Sequence, residues 1–374
     1  RSLKTYVVVG HGASAVKKTI GDGVEYVIQD QLLGTGDAVK RVAPYLKHFS
    51  GNVLVLCGDT PLLQRSTVST LLARHKQSKA AATVLSAVIK DPYGYGRIIR
   101  DNQGNLCGIR EQKDASAEEN KINEINVGMY CFQAKELFAV LAKLKLNAKK
   151  KEYYLTDVLE LLLAQGKKIA SLVTDDESVA FGVNTRKDLA QAESIIRGRI
   201  LDGLMAAGIS IVDPSTTYVE AGAVIGEDTI IYPCSYIHHD VKIGKNCSIG
   251  PFARIRPGSR IADGVEIGNF TEVSRTRLGP KVVMKHFSFL GDAAVGRSVN
   301  IGAGTITANY DGVNKSKTVI GDGAFIGSDS ILIAPLTIGK NALIGAGSVV
   351  KKGSSIPAGM VALGSPARIV RKRT

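Results

Sequence analysis

Two segments of the first half carry residue types suited to phosphate chemistry. Leu54-Val-Leu-Cys-Gly-Asp59-Thr-Pro-Leu62 reads as a strand that ends in Gly-Asp. A carboxylate at the carboxyl end of a strand in an α/β sheet is well placed to hold a Mg²⁺ ion that bridges nucleotide phosphates. Strand-end aspartates are also common turn caps, so Asp59 alone leaves both readings open. Gln29-Asp-Gln-Leu-Leu-Gly34-Thr35-Gly36-Asp37 is a Gly-containing turn that enters a helix. Its N–H groups suit an anion or a base edge, or serve only to start the helix. In the second half a histidine could supply general-base chemistry near neutral pH, but a lone histidine there reads first as a wall or surface residue.

Those residues need elements to hold them. Apolar runs at 6–9, 53–57 and 82–88 read as buried parallel strands. Helical patterns occupy 37–46, 66–77, 137–146 and 154–165. A long helix is expected over 185–207, capped by Asn184 or Thr185 and stopped at Gly208. Alternating strands and helices imply an α/β sheet over 1–184, with 185–210 as the linker.

Beyond it the period changes. Stepping by six from Ile225 meets an aliphatic residue at every position to Val273, and the same step from Ile320 reaches Ile356. Period six fits a left-handed parallel β-helix over 211–374, with three short strands closing each coil. An ordinary sandwich would give irregular spacing. The phase slips after Val273 and again before Val295, and the polar stretch 307–318 breaks it, which implies a loop ejected from the coil.

Of 374 residues, 40 are glycine, concentrated in the second half, and the formal net charge is +14. From Val219 onward 19 Lys and Arg face 11 Asp and Glu, so anionic partners are expected. No aromatic-interleaved basic stripe points to nucleic acid, and the basic end 368–374 reads as a solvated tail. No apolar run is long enough to span a bilayer. Five scattered cysteines, an odd number, suggest reduced thiols and a cytoplasmic setting.

Motifs occur in order along nearly the whole chain: Gly10-His-Gly12, Leu33-Gly-Thr-Gly36, Gly58-Asp-Thr-Pro-Leu62, Tyr95-Gly-Arg97, Glu111-Gln-Lys-Asp114 and Glu124-Ile-Asn126. Glu152-Tyr-Tyr-Leu-Thr-Asp157, Gly182-Val-Asn184, Gly250-Pro-Phe-Ala-Arg-Ile-Arg256, Gly268-Asn-Phe270, Leu290-Gly-Asp-Ala293, Asn300-Ile-Gly-Ala-Gly-Thr305 and Asn309-Tyr-Asp-Gly312 follow. This set resembles the bifunctional N-acetylglucosamine-1-phosphate uridyltransferase / glucosamine-1-phosphate acetyltransferase family. The resemblance implies that Asp59 and Asn184 hold Mg²⁺, that Gln29, Gly34 and Thr35 contact the uracil nucleotide, and that Gly96, Glu111 and Asn126 contact the N-acetylglucosamine phosphate. It implies that His286 is the acetyltransferase base. It places Arg256, Phe289, Asn300, Asn309, Tyr310 and Lys315 at the sugar phosphate, and Ala303, Ser328 and Ala346 along acetyl-CoA. It also implies a homotrimer with sites between subunits, and UTP and acetyl-CoA as co-substrates.

Some positions depart from the family. Its opening Gly-rich loop with Arg and Lys has no counterpart ahead of Arg1, so an N-terminal fragment with an inactive uridyltransferase is expected. Ser274 stands where the family has Lys, and Phe289 where it has Tyr. Arg275 lies next to Ser274, but neighbouring strand residues point to opposite faces, so it is not expected to take over. The stretch between Asn184 and Arg256 is short by about two coils. Two competing readings are a nucleotidyltransferase on a β-helix scaffold and an acetyltransferase alone.

Overall fold

The computed structural model describes residues 4–147 and 151–373. Two compact units divide the chain, Arg1–Ala192 and Glu193–Thr374.

The first unit runs β1 (Tyr6–Val9), α1 (Ala13–Ile20), β2 (Glu25–Ile28), α2 (Thr35–Val42), β3 (Asn52–Val55), α3 (Arg65–Ser78), β4 (Ala82–Val88), β5 (Arg97–Arg100) and β6 (Leu106–Arg110). Then come β7 (Glu124–Gln133), α4 (Ala134–Leu141), α5 (Thr156–Ala164), β8 (Ile169–Thr174) and α6 (Arg186–Ala206). The expectation of uniformly parallel strands is corrected. Among the described residues β1 pairs with β2 alone, in parallel. β4 is parallel to β8 but antiparallel to β7, and β3 also joins β7 antiparallel. Val53 and Val55 are half-buried rather than buried, and among the described residues β3 has a partner strand on one side only. The core gathers around β4, β7 and α5, with Leu85, Met129, Phe132 and Leu159 shut off from solvent. At the start of α6, Asp188 N–H donates to the Thr185 hydroxyl at 3.1 Å while the Asp188 carboxylate accepts from Thr185 N–H at 2.8 Å. This reciprocal pair fixes Thr185 as the cap. The helix crosses the division between the units.

The second unit is the solenoid. Its strands form sheets of eight, eight and ten, and every rung within the coil is parallel. All sixteen six-step aliphatic positions, Ile225 to Val273 and Ile320 to Ile356, point inward and are at most 9% exposed. Parallel rungs satisfy the backbone while the apolar column excludes water. Most coils step by 18 residues, as Val219 to Ile237. From Ile261 to Leu278 the step is 17, so the slip after Val273 is one residue removed from a corner. From Val295 to Ile320 it is 25, which leaves residues for the ejected loop. That loop is narrower than expected. Thr307 and Thr318 are fully buried strand residues, and an antiparallel bridge from Tyr310 to Lys315 closes the projection. Thr307 tolerates an inward position because its hydroxyl accepts from Gly291 N–H at 2.7 Å.

Candidate active sites

In the first unit the Gly-containing turn is held from behind. A Cβ on Gly34 would lie 2.8 Å from the Tyr153 carbonyl oxygen, and the native φ of +92° is unfavourable for other residues, so glycine is required there. Tyr153 N–H donates to Leu33 O at 2.7 Å, and Leu155 N–H to the Thr35 hydroxyl at 3.2 Å. The Gln29 amide nitrogen donates to Gly34 O at 3.1 Å and to Asp37 at 2.9 Å. Its amide oxygen is thereby turned the other way, which suits recognition of a donor on a base.

Asp59 lies in the turn beyond β3 and is exposed, as is Asn184. Val183 N–H donates to Asp59 O at 2.8 Å, and both side chains converge on Gly182, whose Cβ would stand 3.6 Å from Asn184 Nδ2 and 3.8 Å from Asp59 Oδ2. One carboxylate and one amide make an oxygen-bearing pair of the kind that holds Mg²⁺ when phosphates and water complete the shell. Among the described residues no group of three or more His, Cys, Asp or Glu is placed to hold a metal ion. Burial pushes the Tyr95 hydroxyl pKa up, with Asp59 and Asp188 adding to the effect, and the hydroxyl donates to Ala180 O at 3.1 Å.

Gly96 and Asn126 are neighbours, joined by Asn126 N–H to Gly96 O at 2.8 Å. The Asn126 amide donates to Tyr130 at 2.7 Å and accepts from Gly128 N–H at 3.1 Å, so it is locked before any ligand arrives. Glu111 lines a cleft of about 310 Å³ with Arg110, Asp114, Thr156, Asp157 and Glu160. Burial raises the Asp157 carboxyl to about 6, helped by repulsion from Glu160, Glu111 and Asp114. The sequence reading assigned no role to Tyr95 or Asp157, although both stand in quoted motifs.

In the solenoid the expected residues fall on successive coils. His286 ends strand Val283–His286, is exposed, and its ring has no hydrogen-bond partner among the described residues. Asn300 belongs to the next rung of that sheet, opposite Val283. The corner after His286 starts a column of small residues. Gly304 N–H donates to Phe287 O, Asp329 N–H to Ala303 O at 2.6 Å, and Gly347 N–H to Ser328 O at 2.8 Å. Ala303, Ser328 and Ala346 therefore stand one above another on consecutive coils, directly beyond the His286 corner.

On the adjoining sheet, Arg256 N–H donates to Val273 O, and Ser274 lies across from Gly291. Arg256 pairs with Glu272 at 2.9 Å. Phe289 sits across from Glu272. A Cβ on Gly291 would lie 2.7 Å from both the Asn309 amide nitrogen and the Phe289 ring, which fixes how closely those two approach. Asn309 is buried, while Tyr310 and Lys315 are exposed on the projection.

The premise of the expectation for Arg275, alternation along a strand, does not hold at this position. The strand ends at Ser274, and Arg275 turns the corner with φ +48°, so strand alternation does not govern it. Its guanidinium donates to the Ser274 hydroxyl at 2.9 Å and to both oxygens of Asp292, at 2.7 and 2.8 Å. The sequence signal for Asp292 was the Leu290-Gly-Asp-Ala293 motif, which carried no assigned role.

Together these features define a nucleotidyltransferase unit on the same chain as a hexapeptide-repeat transferase. Residues 5–198 match the Nucleotidyl transferase family, and 222–257, 240–275 and 317–352 match Bacterial transferase hexapeptide (six repeats). The Bifunctional protein GlmU of Shouchella clausii (strain KSM-K16) is 44% identical over 93% of this chain and 84% of its own. That of Heliobacterium modesticaldum (strain ATCC 51547 / Ice1) is 43% identical over 96% and 85%. That of Geobacillus thermodenitrificans (strain NG80-2) is 43% identical over 99% and 87%. The chain belongs to the bifunctional GlmU family.

Proposed function

We propose that the two units serve the two transfers of UDP-N-acetylglucosamine synthesis, with the uridylyl transfer needing the family's Gly-rich loop in addition to the residues described here. In the solenoid, the amine of glucosamine-1-phosphate attacks the thioester carbonyl of acetyl-CoA. A C–N bond forms, the C–S bond breaks, and His286 takes the amine proton and passes it to the departing sulfur, so that CoA leaves as the thiol. The exposed His286 ring makes no hydrogen bond among the described residues, which leaves a ring nitrogen open to the amine. Arg256 and Lys315 bind the phosphate, Asn300, Asn309, Tyr310 and the face of Phe289 position the sugar, and Ala303, Ser328 and Ala346 give the pantetheine arm a path along the coil.

In the first unit a phosphate oxygen of N-acetylglucosamine-1-phosphate attacks the α-phosphorus of UTP, and pyrophosphate leaves. Gln29, Gly34 and Thr35 take the uracil nucleotide, and Gly96, Glu111 and Asn126 the sugar. Asp59 and Asn184 would hold Mg²⁺, which supplies charge neutralisation at the phosphates when bound.

The single observation that carries the acetyltransferase reading is the long coil, which ejects the Asn309–Lys315 projection just after the coil that bears His286. A pure scaffold has no need of an interrupted coil at that level. A homotrimer is part of the proposal. Phe252, Phe270 and Phe287 form an exposed aromatic column, with Phe252 and Phe270 stacked at 4.9 Å, and a second copy would cover it. The reading also takes the chain to be cytoplasmic, consistent with five unpaired cysteines and with no described helix long and apolar enough to cross a membrane.

The test follows free thiol released from acetyl-CoA with glucosamine-1-phosphate as acceptor, on the chain and on His286→Ala. Acceptor-dependent release that falls by about 10²-fold or more in the variant is expected. A folded chain with no acceptor-dependent release would leave the solenoid as a scaffold.

A further inference from the structure

We propose that Arg275 is a positioning residue of the acetyl-acceptor site, acting through Asp292 to orient the Asn309 amide and to mask a carboxylate beside Lys315. The inference rests on the acetyltransferase reading above.

Arg275 reaches Asp292 with two parallel N–H donors, the geometry in which guanidinium and carboxylate pair best. Its third nitrogen is anchored on Ser274, a side chain that is 1% exposed. The same Asp292 oxygen that receives one prong also accepts from the Asn309 amide nitrogen. An ionised carboxylate only accepts, so the amide nitrogen of Asn309 must face it. The Asn309 oxygen is thereby aimed away from Asp292, as an acceptor for an amine or hydroxyl donor. Arg275 holds the Asp292 carboxyl below its usual range, and Asn309 and Lys315 act in the same direction. Ser316 N–H donates to Asn309 O at 2.7 Å and Thr318 N–H to Asp292 O at 3.3 Å, so the chain that carries Lys315 is fastened to both members of this pair. Without Arg275, the bare carboxylate would draw the Lys315 ammonium to itself and repel an incoming phosphate.

The chemistry predicts a defect confined to the anionic acceptor. Steady-state acetyl transfer is measured on the full chain with glucosamine-1-phosphate varied at saturating acetyl-CoA, then with the roles reversed. Arg275→Met is expected to raise KM for the sugar phosphate about tenfold, with KM for acetyl-CoA unchanged. In the double variant Arg275→Met/Asp292→Asn the carboxamide still accepts from Asn309 but carries no charge, and KM is expected to return toward the parent value. Arg275→Gln, which keeps a polar side chain at the corner, carries the same expectation should Arg275→Met fail to fold. An active parent with unchanged sugar-phosphate KM in the single variants would overturn this inference alone. So would a double variant no better than Arg275→Met, because the loss would then be structural. A parent with no acceptor-dependent release would sink the acetyltransferase reading and this inference with it.

Discussion

At the scale of single residues, the acceptor site is organised by what it lacks as much as by what it holds. Gly291 has no side chain, and the space a methyl group would fill is taken by Asn309 and Phe289. Both contacts would fall well inside ordinary van der Waals separation, and the Asn309 amide, tied to Asp292, yields only by losing that bond. Gly291→Ala is therefore expected to displace the Asn309 amide, lowering acetyl transfer by at least about tenfold while the solenoid stays folded. Thiol release and circular dichroism on the same sample check both halves, and an unchanged rate would show that Asn309 is not held where the chemistry needs it. Part of this candidate site was legible beforehand: the motif Asn309-Tyr-Asp-Gly312 contains Asn309 and Tyr310, and the family resemblance pointed to His286 and Lys315. Arg275 was not legible. Its reach depends on a left-handed corner at the strand end, and period-two alternation gives no notice of where a two- or three-residue rung stops.

Among the elements, α5 and the solenoid rungs differ in how plainly the sequence announces them. The six-residue step marks each inward aliphatic position, and all sixteen are buried, because neighbouring residues of a rung face opposite ways and these take the inward place. The mixed sheet was harder. An apolar run such as Val53–Cys57 states that a strand forms but not its direction, and direction here is set by β7, whose ten residues pair with three strands. Helix α5 is simple in pattern, yet its first turn carries a strained carboxylate. Asp157 is half-buried at the acidic cleft, and its pKa is lifted from 3.8 to about 6 by burial, with Glu160, Glu111 and Asp114 adding repulsion. A carboxyl whose pKa is raised by folding binds its proton more tightly in the native state. Stability is then gained as pH falls from about 6 toward 4, and lost as pH rises over the same window. Asp157→Asn is expected to raise the melting temperature of the first unit at pH 7 by roughly 1–3 °C, after allowance for solvent screening. The gain should vanish near pH 4, where parent and variant are both neutral at this position. Paired thermal melts at the two pH values decide it, and a variant that melts lower than the parent at pH 7 would mean that the charge is needed rather than strained.

For the whole molecule, the division of labour between two transfers has a physical counterpart in the division of the core. Leu159 belongs to an apolar cluster built from β4, β7, α4 and α5, whereas Ile249 belongs to the continuous column inside the coil, and no residue is common to the two clusters. Each side chain is completely buried, so truncation removes packed atoms that water cannot replace. Leu159→Ala and Ile249→Ala should each cost about 2–5 kcal/mol. Because the clusters are separate, each loss should fall on one unit. Leu159→Ala is expected to lower one calorimetric transition by about 5 °C or more while acetyl transfer at room temperature is retained. Ile249→Ala should lower the other transition and leave the first in place, because a solenoid passes its losses to neighbouring coils rather than to a distant core. Differential scanning calorimetry of the parent and both variants reads this directly. A single transition that shifts equally in the two variants would mean that the units unfold as one body, and that damage to either core reaches both chemistries.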